Sequence, residues 1–420
     1  MSKIVIATLG SYGDINPYIP IALELKARGR RAVIATSEHY RSAVESEGLE
    51  FYPVRPDIKI GDVEIYRDIM DSRRGSERVI KQHVMPFIRE SYEDFEKACA
   101  DADLILSHVI TYYAPILAEK KNIRWLSTVL APMVFFSAYD PPVLAPIPQL
   151  SALRSLGPKL NGPVLKLLKL VSRNWSRPAR DLRAALGIPS EKDPLFEGQH
   201  SPYGVLALFS KCFAEAQPDW PDKTLICGFP FHDHDIGGKA PDPRLAEFLK
   251  RGDPPIAFTL GSSAVHIPGD FYGIAAQASR ALGRRAVLVA GSEAENLNAA
   301  HKSDSLLAVP TAPYHWLFAQ CCAIVHQGGV GTTAQALRSG KPELVVPFAH
   351  DQFDNADRVQ RLGAGRVLHL SHLSEKSLEA LLREILDQPG CAAAAQAAAA
   401  TVRSERAASA ACDIIDSVLV

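Results

Sequence analysis

A short apolar run, Ala323–Val325, ends on His326 and passes at once into Gln-Gly-Gly-Val-Gly-Thr-Thr, residues 327–333. This junction constrains the chain more than any other stretch. The run reads as a buried strand, and a short helical segment follows to Gly340. After Pro342 comes a second apolar run, Leu344–Pro347, and then His350-Asp351-Gln352-Phe353-Asp354-Asn355. The order is strand, glycine loop, helix, strand, polar loop, helix. In a parallel sheet both loops leave the carboxyl ends of their strands, on the rim where open α/β sheets bind ligands.

The two loops carry different chemistry. Gly328, Gly329 and Gly331 add no side-chain bulk, so backbone N–H groups approach a ligand closely. Thr332 and Thr333 sit at the start of the helix, where unpaired N–H groups and the dipole favour an anion. His326 is expected to add a donor on the same side, and the set suits a diphosphate. Asp351 and Gln352 place a carboxylate beside an amide, a pair suited to adjacent sugar hydroxyls. Together they point to a nucleotide-sugar ligand. Two other readings fit parts of the pattern. Gly329-x-Gly331-x-x-Ala334 also matches a dinucleotide fingerprint, with Asp351 about 20 residues on as its ribose-binding acid. The glycines alone also suit a tight turn, with Asp351 or Asp354 as an ordinary helix cap.

Length and charge narrow the class. A chain of 420 residues with 47% hydrophobic content is expected to build two cores. A net charge of −1 argues against nucleic acid as the main partner. The seven cysteines are odd in number and show no Cys-x-x-Cys spacing, which reads as free thiols in a reducing cytoplasm. Cys321 and Cys322 are placed on the buried strand. The N-terminus reads as a strand and not a signal peptide. No apolar stretch approaches the ~20 residues of a membrane span, so a soluble or at most peripheral protein is expected.

Lys3–Thr8 is a second short apolar run, followed by Gly10-Ser11-Tyr12-Gly13-Asp14-Ile15-Asn16-Pro17 and a helix with Pro17 and Pro20 near its start. Gly29 stops that helix, and Ala32–Thr36 is the next strand. Leu104–Ser107 is another strand, ending at His108. From Ser151 to Gly187, eight arginines and lysines stand against Asp181 alone, with Val164, Leu165, Leu167, Leu168, Leu170 and Val171 among them. This basic amphipathic region, 151–187, reads as a lid over a greasy pocket that touches anionic lipid, or as a solvated face on a packing helix. Phe135, Phe136, Tyr139 and the prolines after them read as an irregular loop lining that pocket. Gly228–Phe231, His232-Asp233-His234-Asp235 and Gly237-Gly238 read as a linker, and no metal is assigned to the His-Asp run. Cys391–Ala400 is an alanine-rich helix.

His-x-Gly-Gly-x-Gly-Thr-Thr followed by Asp-Gln-x-x-Asn, with Gly-Ser-Tyr-Gly-Asp near the start, resembles the glycosyltransferases of the GT-B architecture. The resemblance is closest to bacterial rhamnosyltransferases, antibiotic glycosyltransferases and sterol glucosyltransferases, and it spans most of the chain. It implies an α/β fold of two facing Rossmann-like domains with an interdomain cleft. Residues 1–230 would bind the acceptor, 231–254 would link, and 255–400 would bind the donor. The last helix, 401–420, would cross back to the first domain. It implies Asp14 as catalytic base and places His108 where plant relatives carry an orienting Asp, hence a swapped Asp14–His108 dyad. An isolated Asp titrates near ~3.9 and is a weak base, whereas an imidazole at ~6.5 is a better proton acceptor.

It further implies that Ser262, with Ser263 as substitute, reaches the diphosphate together with His326, Gly328, Gly329, Gly331, Thr332 and Thr333, while Asp351 and Gln352 hold the sugar. Relatives stack an aromatic residue on the base two positions before Pro313. Here that position is Thr311, which leaves Tyr314 or Trp316 for the base and leaves uridine and thymidine both open.

The implied activity is an inverting, metal-independent transfer of a hexose or deoxyhexose, rhamnose or glucose favoured. The donor is a dTDP- or UDP-sugar, and the acceptor is a hydroxyl of a polyphenol, polyketide, lipid or sterol, with no cofactor. The alternatives are a nucleotide-sugar epimerase, a dinucleotide-dependent oxidoreductase and a non-catalytic nucleotide-sugar-binding subunit.

Overall fold

The run Lys3–Ala7 forms β1, with Ile4 to Ala7 entirely out of solvent. A strand without a polar face needs layers on both sides, and parallel strands covered by helices supply them. β2 (Arg31–Thr36), β3 (Glu50–Pro53), β4 (Leu104–His108), β5 (Arg124–Val129), β6 (Val205–Ala207) and β7 (Thr224–Ile226) join it. All pair in parallel in the order β3-β2-β1-β4-β5-β6-β7. The order reverses between β1 and β4, so the crevice at their carboxyl ends is the switch point of this sheet. The loop carrying Asp14 leaves β1, and His108 ends β4.

The second sheet follows the same logic. β8 (Ile256–Thr259), β9 (Ala286–Val289), β10 (Leu306–Val309), β11 (Ala323–His326), β12 (Glu343–Val345) and β13 (Gly365–Val367) are parallel, in the order β10-β9-β8-β11-β12-β13. Its switch lies between β8 and β11, where the Ser262 loop and the glycine loop emerge. Two Rossmann-like α/β units of the expected GT-B kind are therefore present. This computed structural model describes residues 1–57, 62–233, 242–301 and 303–419, with nothing stated of the Leu153 side chain. His234 and Asp235 of the His-Asp run, and Gly237-Gly238 of the linker, lie outside the described residues.

The units divide as Met1–Asp62, Arg73–His232 and Glu405–Val420 against Val63–Ser72 and Asp233–Ser404. Two details depart from the expected boundaries. Residues 243–250, read as linker, form the helix Pro243–Lys250, because Asp242 caps it, proline stands at its start and Leu245 is fully buried. The segment Val63–Ser72 groups with the second unit. Its Tyr66 and Met70 enter that core, and the Tyr66 ring stacks on His266 at 4.4 Å. Cys321 and Cys322, placed on the strand by sequence, precede it, because β11 begins at Ala323.

The alanine-rich segment is helical within Pro389–Ser404. The Glu405 carboxylate then accepts from the Ser210 hydroxyl at 2.9 Å and the Lys211 N–H at 3.0 Å. The final helix, Ala407–Leu419, lies on helix Tyr18–Ala27 of the first unit. Arg28 joins them by donating to Asp413 at 2.7 Å and Asp416 at 3.1 Å.

One group sets an acid limit on this unit. Burial pushes the His200 imidazole down to about 4, against a stack of Phe135 at 5.7 Å. A depressed histidine contributes stability that is complete above its unfolded value near ~6.5 and is lost as pH falls through the folded value. Unfolding by urea at pH 7 and at pH 4.5 is expected to differ by on the order of 3 kcal/mol from this group. His200→Phe is expected to flatten that difference.

Candidate active site

Gly10 and Ser11 shape the first switch point. Gly10 has φ of +132°, and a side chain there would overlap the Asp14 carboxylate. Ser11 caps the short helix Tyr12–Ile15 by accepting from the Gly13 N–H at 3.2 Å. In return Asp14 Oδ2 accepts from the Ser11 N–H at 2.7 Å and from its hydroxyl at 3.1 Å, a reciprocal capping box. The other oxygen, Oδ1, is turned to His108, with Nε2 at 3.8 Å, an ion-pair separation longer than a hydrogen bond. The cap therefore uses one oxygen of Asp14 and leaves the other facing His108.

His108 is 3% exposed. Burial lowers its basicity, and the facing Asp14 opposes that shift. Its Nδ1 has no hydrogen-bond partner among the described residues. Tyr18 packs edge-on at 6.0 Å and is itself fixed to Thr128 Oγ1 at 2.6 Å. Behind the imidazole lies a cavity of about 90 Å³ with Ser107, Thr111, Gln199 and His200 on its walls.

The second switch point differs from the sequence reading at three residues. His326 is fully buried. Its Nδ1 accepts from the Gly328 N–H at 3.0 Å, and its Nε2 meets Glu343 Oε2 at 2.9 Å. An Nδ1 that accepts carries no proton, so the ring is neutral and its one N–H points to Glu343. His326 is therefore a strut beneath the loop, with no donor left for a ligand. Glu343 is fully buried, and that burial pushes its carboxyl above the usual carboxylate range against the pull of His326. Thr333 is also turned inward, donating to the Gly329 carbonyl at 3.0 Å. Gln352 uses its side-chain oxygen to accept from the N–H groups of Phe348 at 2.8 Å and Ala349 at 3.0 Å, which leaves only its NH2 end for a sugar.

The rest of the set stays at the rim. Gly328 has φ of +89°, and a Cβ there would stand 2.8 Å from Val345 and 2.9 Å from the Gln352 carbonyl. Gly331 and Thr332 lie in the first turn of helix Val330–Ser339, whose leading N–H groups have no partners within the helix. Ser262 and Ser263 are half-buried on the loop after β8, and Ser263 makes no side-chain cap. Asp351 is half-buried and accepts from Asn355 at 2.8 Å. Asn355 also donates to the Gly328 carbonyl at 2.8 Å and so ties the glycine loop to the polar loop.

Gln327 escaped the sequence reading. It is buried, its amide nitrogen lies 3.5 Å from Thr332 Oγ1, and a side chain at Gly261 or Gly329 would run into it. Two glycines around one amide were the available signal. Tyr314 is held by Thr259 at 2.6 Å and stacked on Phe318, and Trp316 packs on the same core.

Known proteins share both halves. Residues 4–132 match the family described as glycosyltransferase family 28 N-terminal domain. Residues 285–417 match the erythromycin biosynthesis protein CIII-like C-terminal domain. The O-mycaminosyltylonolide 6-deoxyallosyltransferase of Streptomyces fradiae is 30% identical over 99% of this chain and 97% of its own length. A sterol 3-beta-glucosyltransferase of Arabidopsis thaliana is 27% identical over 91% of this chain, which spans 63% of that longer protein. Among solved structures, the glycotransferase of kitacinnamycin superposes with a TM-score of 0.75 at 20% identity, covering 100% of this chain and 99% of that one. Spinosyn rhamnosyltransferase SpnG complexed with thymidine diphosphate gives 0.69 at 17% identity, covering 99% and 100%. With both sheets, both switch-point loops and near full-length likeness in hand, the chain belongs to the GT-B glycosyltransferases of the antibiotic- and sterol-glycosylating family.

Proposed function

We propose that the enzyme transfers a hexosyl or deoxyhexosyl group, rhamnose or glucose favoured, from a thymidine or uridine diphosphate sugar to a hydroxyl of a hydrophobic small molecule, with inversion. The observation that carries this is the division of labour at Asp14. One oxygen is fixed by Ser11, and the other is left toward a buried imidazole at 3.8 Å. The acceptor hydroxyl gives its proton to Asp14 Oδ1, and His108 shares that proton. The oxygen attacks the anomeric carbon as the diphosphate leaves, through an oxocarbenium-like transition state.

Charge growing on the diphosphate is met by the first N–H groups of helix Val330–Ser339, by Thr332 and by Ser262 or Ser263. His326 and Asn355 hold that loop in shape, and Asp351 and the Gln352 NH2 meet sugar hydroxyls. Thymidine diphosphate in related solved structures supports a thymidine donor. Tyr139, 48% exposed after the loop that leaves β5, supports an apolar acceptor.

Because donors of the protein meet the leaving charge, EDTA is expected to leave turnover unchanged. The test is turnover with thymidine and uridine diphosphate sugars against a panel of aromatic, polyketide and sterol alcohols. Donor consumption that proceeds at full rate without any acceptor, or nicotinamide nucleotide co-purifying in stoichiometric amount, would overturn the reading.

A further inference from the structure

We infer that helix Pro158–Ser172 of the first unit is a docking surface for an anionic lipid bilayer. The helix has a used face and an unused one. On the used face Leu165, Asn161 and Ser172 are buried, Asn161 donates to the Ala138 carbonyl at 3.1 Å, and Lys169 pairs with Glu197 at 2.6 Å. On the other face Leu160, Leu167, Leu170 and Val171 are 56%, 60%, 63% and 70% exposed. Their spacing of three, four and seven residues lines them along one side of the helix. Four large side chains of this kind in one stripe are unusual on a polar surface.

The charge beside the stripe selects the occupant. Lys159, Lys166 and Arg173 are exposed along one edge of it and form no ion pair among the described residues. From Pro141 to Arg180 the sequence holds seven lysines and arginines and no aspartate or glutamate, although the chain as a whole carries a net charge of −1. An apolar ridge edged by exposed cations fits the boundary between acyl chains and acidic headgroups. Among the described residues no helix is long and apolar enough to cross a membrane, so the contact is peripheral. The inference stands apart from the assignment of sugar and base. It gives the acceptor site of the first unit a route to alcohols dissolved in lipid.

Flotation of the full chain with vesicles tests it. Vesicles of phosphatidylcholine mixed with phosphatidylglycerol are expected to carry the protein at low salt, and phosphatidylcholine alone to carry far less. A cation near the surface is worth about fivefold in partitioning, so K159Q/K166Q/R173Q is expected to lower binding about a hundredfold. L167N/L170N is expected to abolish flotation while the melting temperature stays at the parent value, since both side chains are already exposed. Three results would overturn the inference: protein that stays in solution with phosphatidylglycerol vesicles, L167N/L170N floating as well as the parent, or a dimer in solution that L167N/L170N dissolves.

Discussion

Asp14→Asn is expected to lower turnover about a thousandfold, within the range typical for a positioned general base. The substitution isolates chemistry from folding. Asparagine keeps an oxygen that accepts from the Ser11 N–H and hydroxyl, so the cap on helix Tyr12–Ile15 survives. The acceptor of the proton is lost, because an amide oxygen does not take up a proton near neutrality. Donor affinity, measured by calorimetry, is expected to stay at the parent value, because the glycine loop belongs to the other unit. His108→Ala is expected to cost less and to change the shape of the pH–rate profile, since the imidazole shares a proton that Asp14 has already removed. Parent-like turnover in Asp14→Asn would remove Asp14 from the mechanism.

The second large effect concerns stability. His326→Leu leaves the Glu343 carboxyl buried without its partner and is expected to cost about 3–5 kcal/mol. Glu343→Leu strands the imidazole N–H in the core and is expected to cost about 1–3 kcal/mol. The double variant is expected to lie well above the sum, by a coupling of about 0.5–3 kcal/mol. Glu343→Gln, whose side-chain oxygen still accepts from Nε2, is expected to keep both stability and turnover. A histidine that touched the diphosphate directly would give another pattern. His326→Leu would then abolish turnover with the melting temperature unchanged, and Glu343→Leu would leave turnover intact. Urea unfolding of the four proteins separates the two cases.

The sequence made the strands legible because parallel strands buried on both faces leave uninterrupted apolar runs, as in Lys3–Ala7 and Leu104–Leu106. It made the loops legible because glycine at Gly328 answers a backbone demand that other residues meet only under strain. What it hid were contacts made by chain segments far apart. Glu343 opens a strand and looks like an ordinary polar residue before an apolar run, yet it closes on His326 from the neighbouring strand. Gln327 fills the space between Gly261 and Gly329, which the chain brings together only through the pairing of β11 with β8. Thr333 followed a helix-start pattern, but its hydroxyl found the carbonyl one turn back, a common alternative for threonine. The ten residues from Val63 to Ser72 carried no motif, so their place in the second unit was not readable.

The proposed transfer is a single displacement, with Asp14 activating the acceptor and no sugar attached to the protein between steps. The anomeric configuration of the product, read by nuclear magnetic resonance after transfer from an α-linked thymidine diphosphate sugar, tests this most directly. A β-linked product is expected. An α-linked product would require a second nucleophile and would contradict the single displacement.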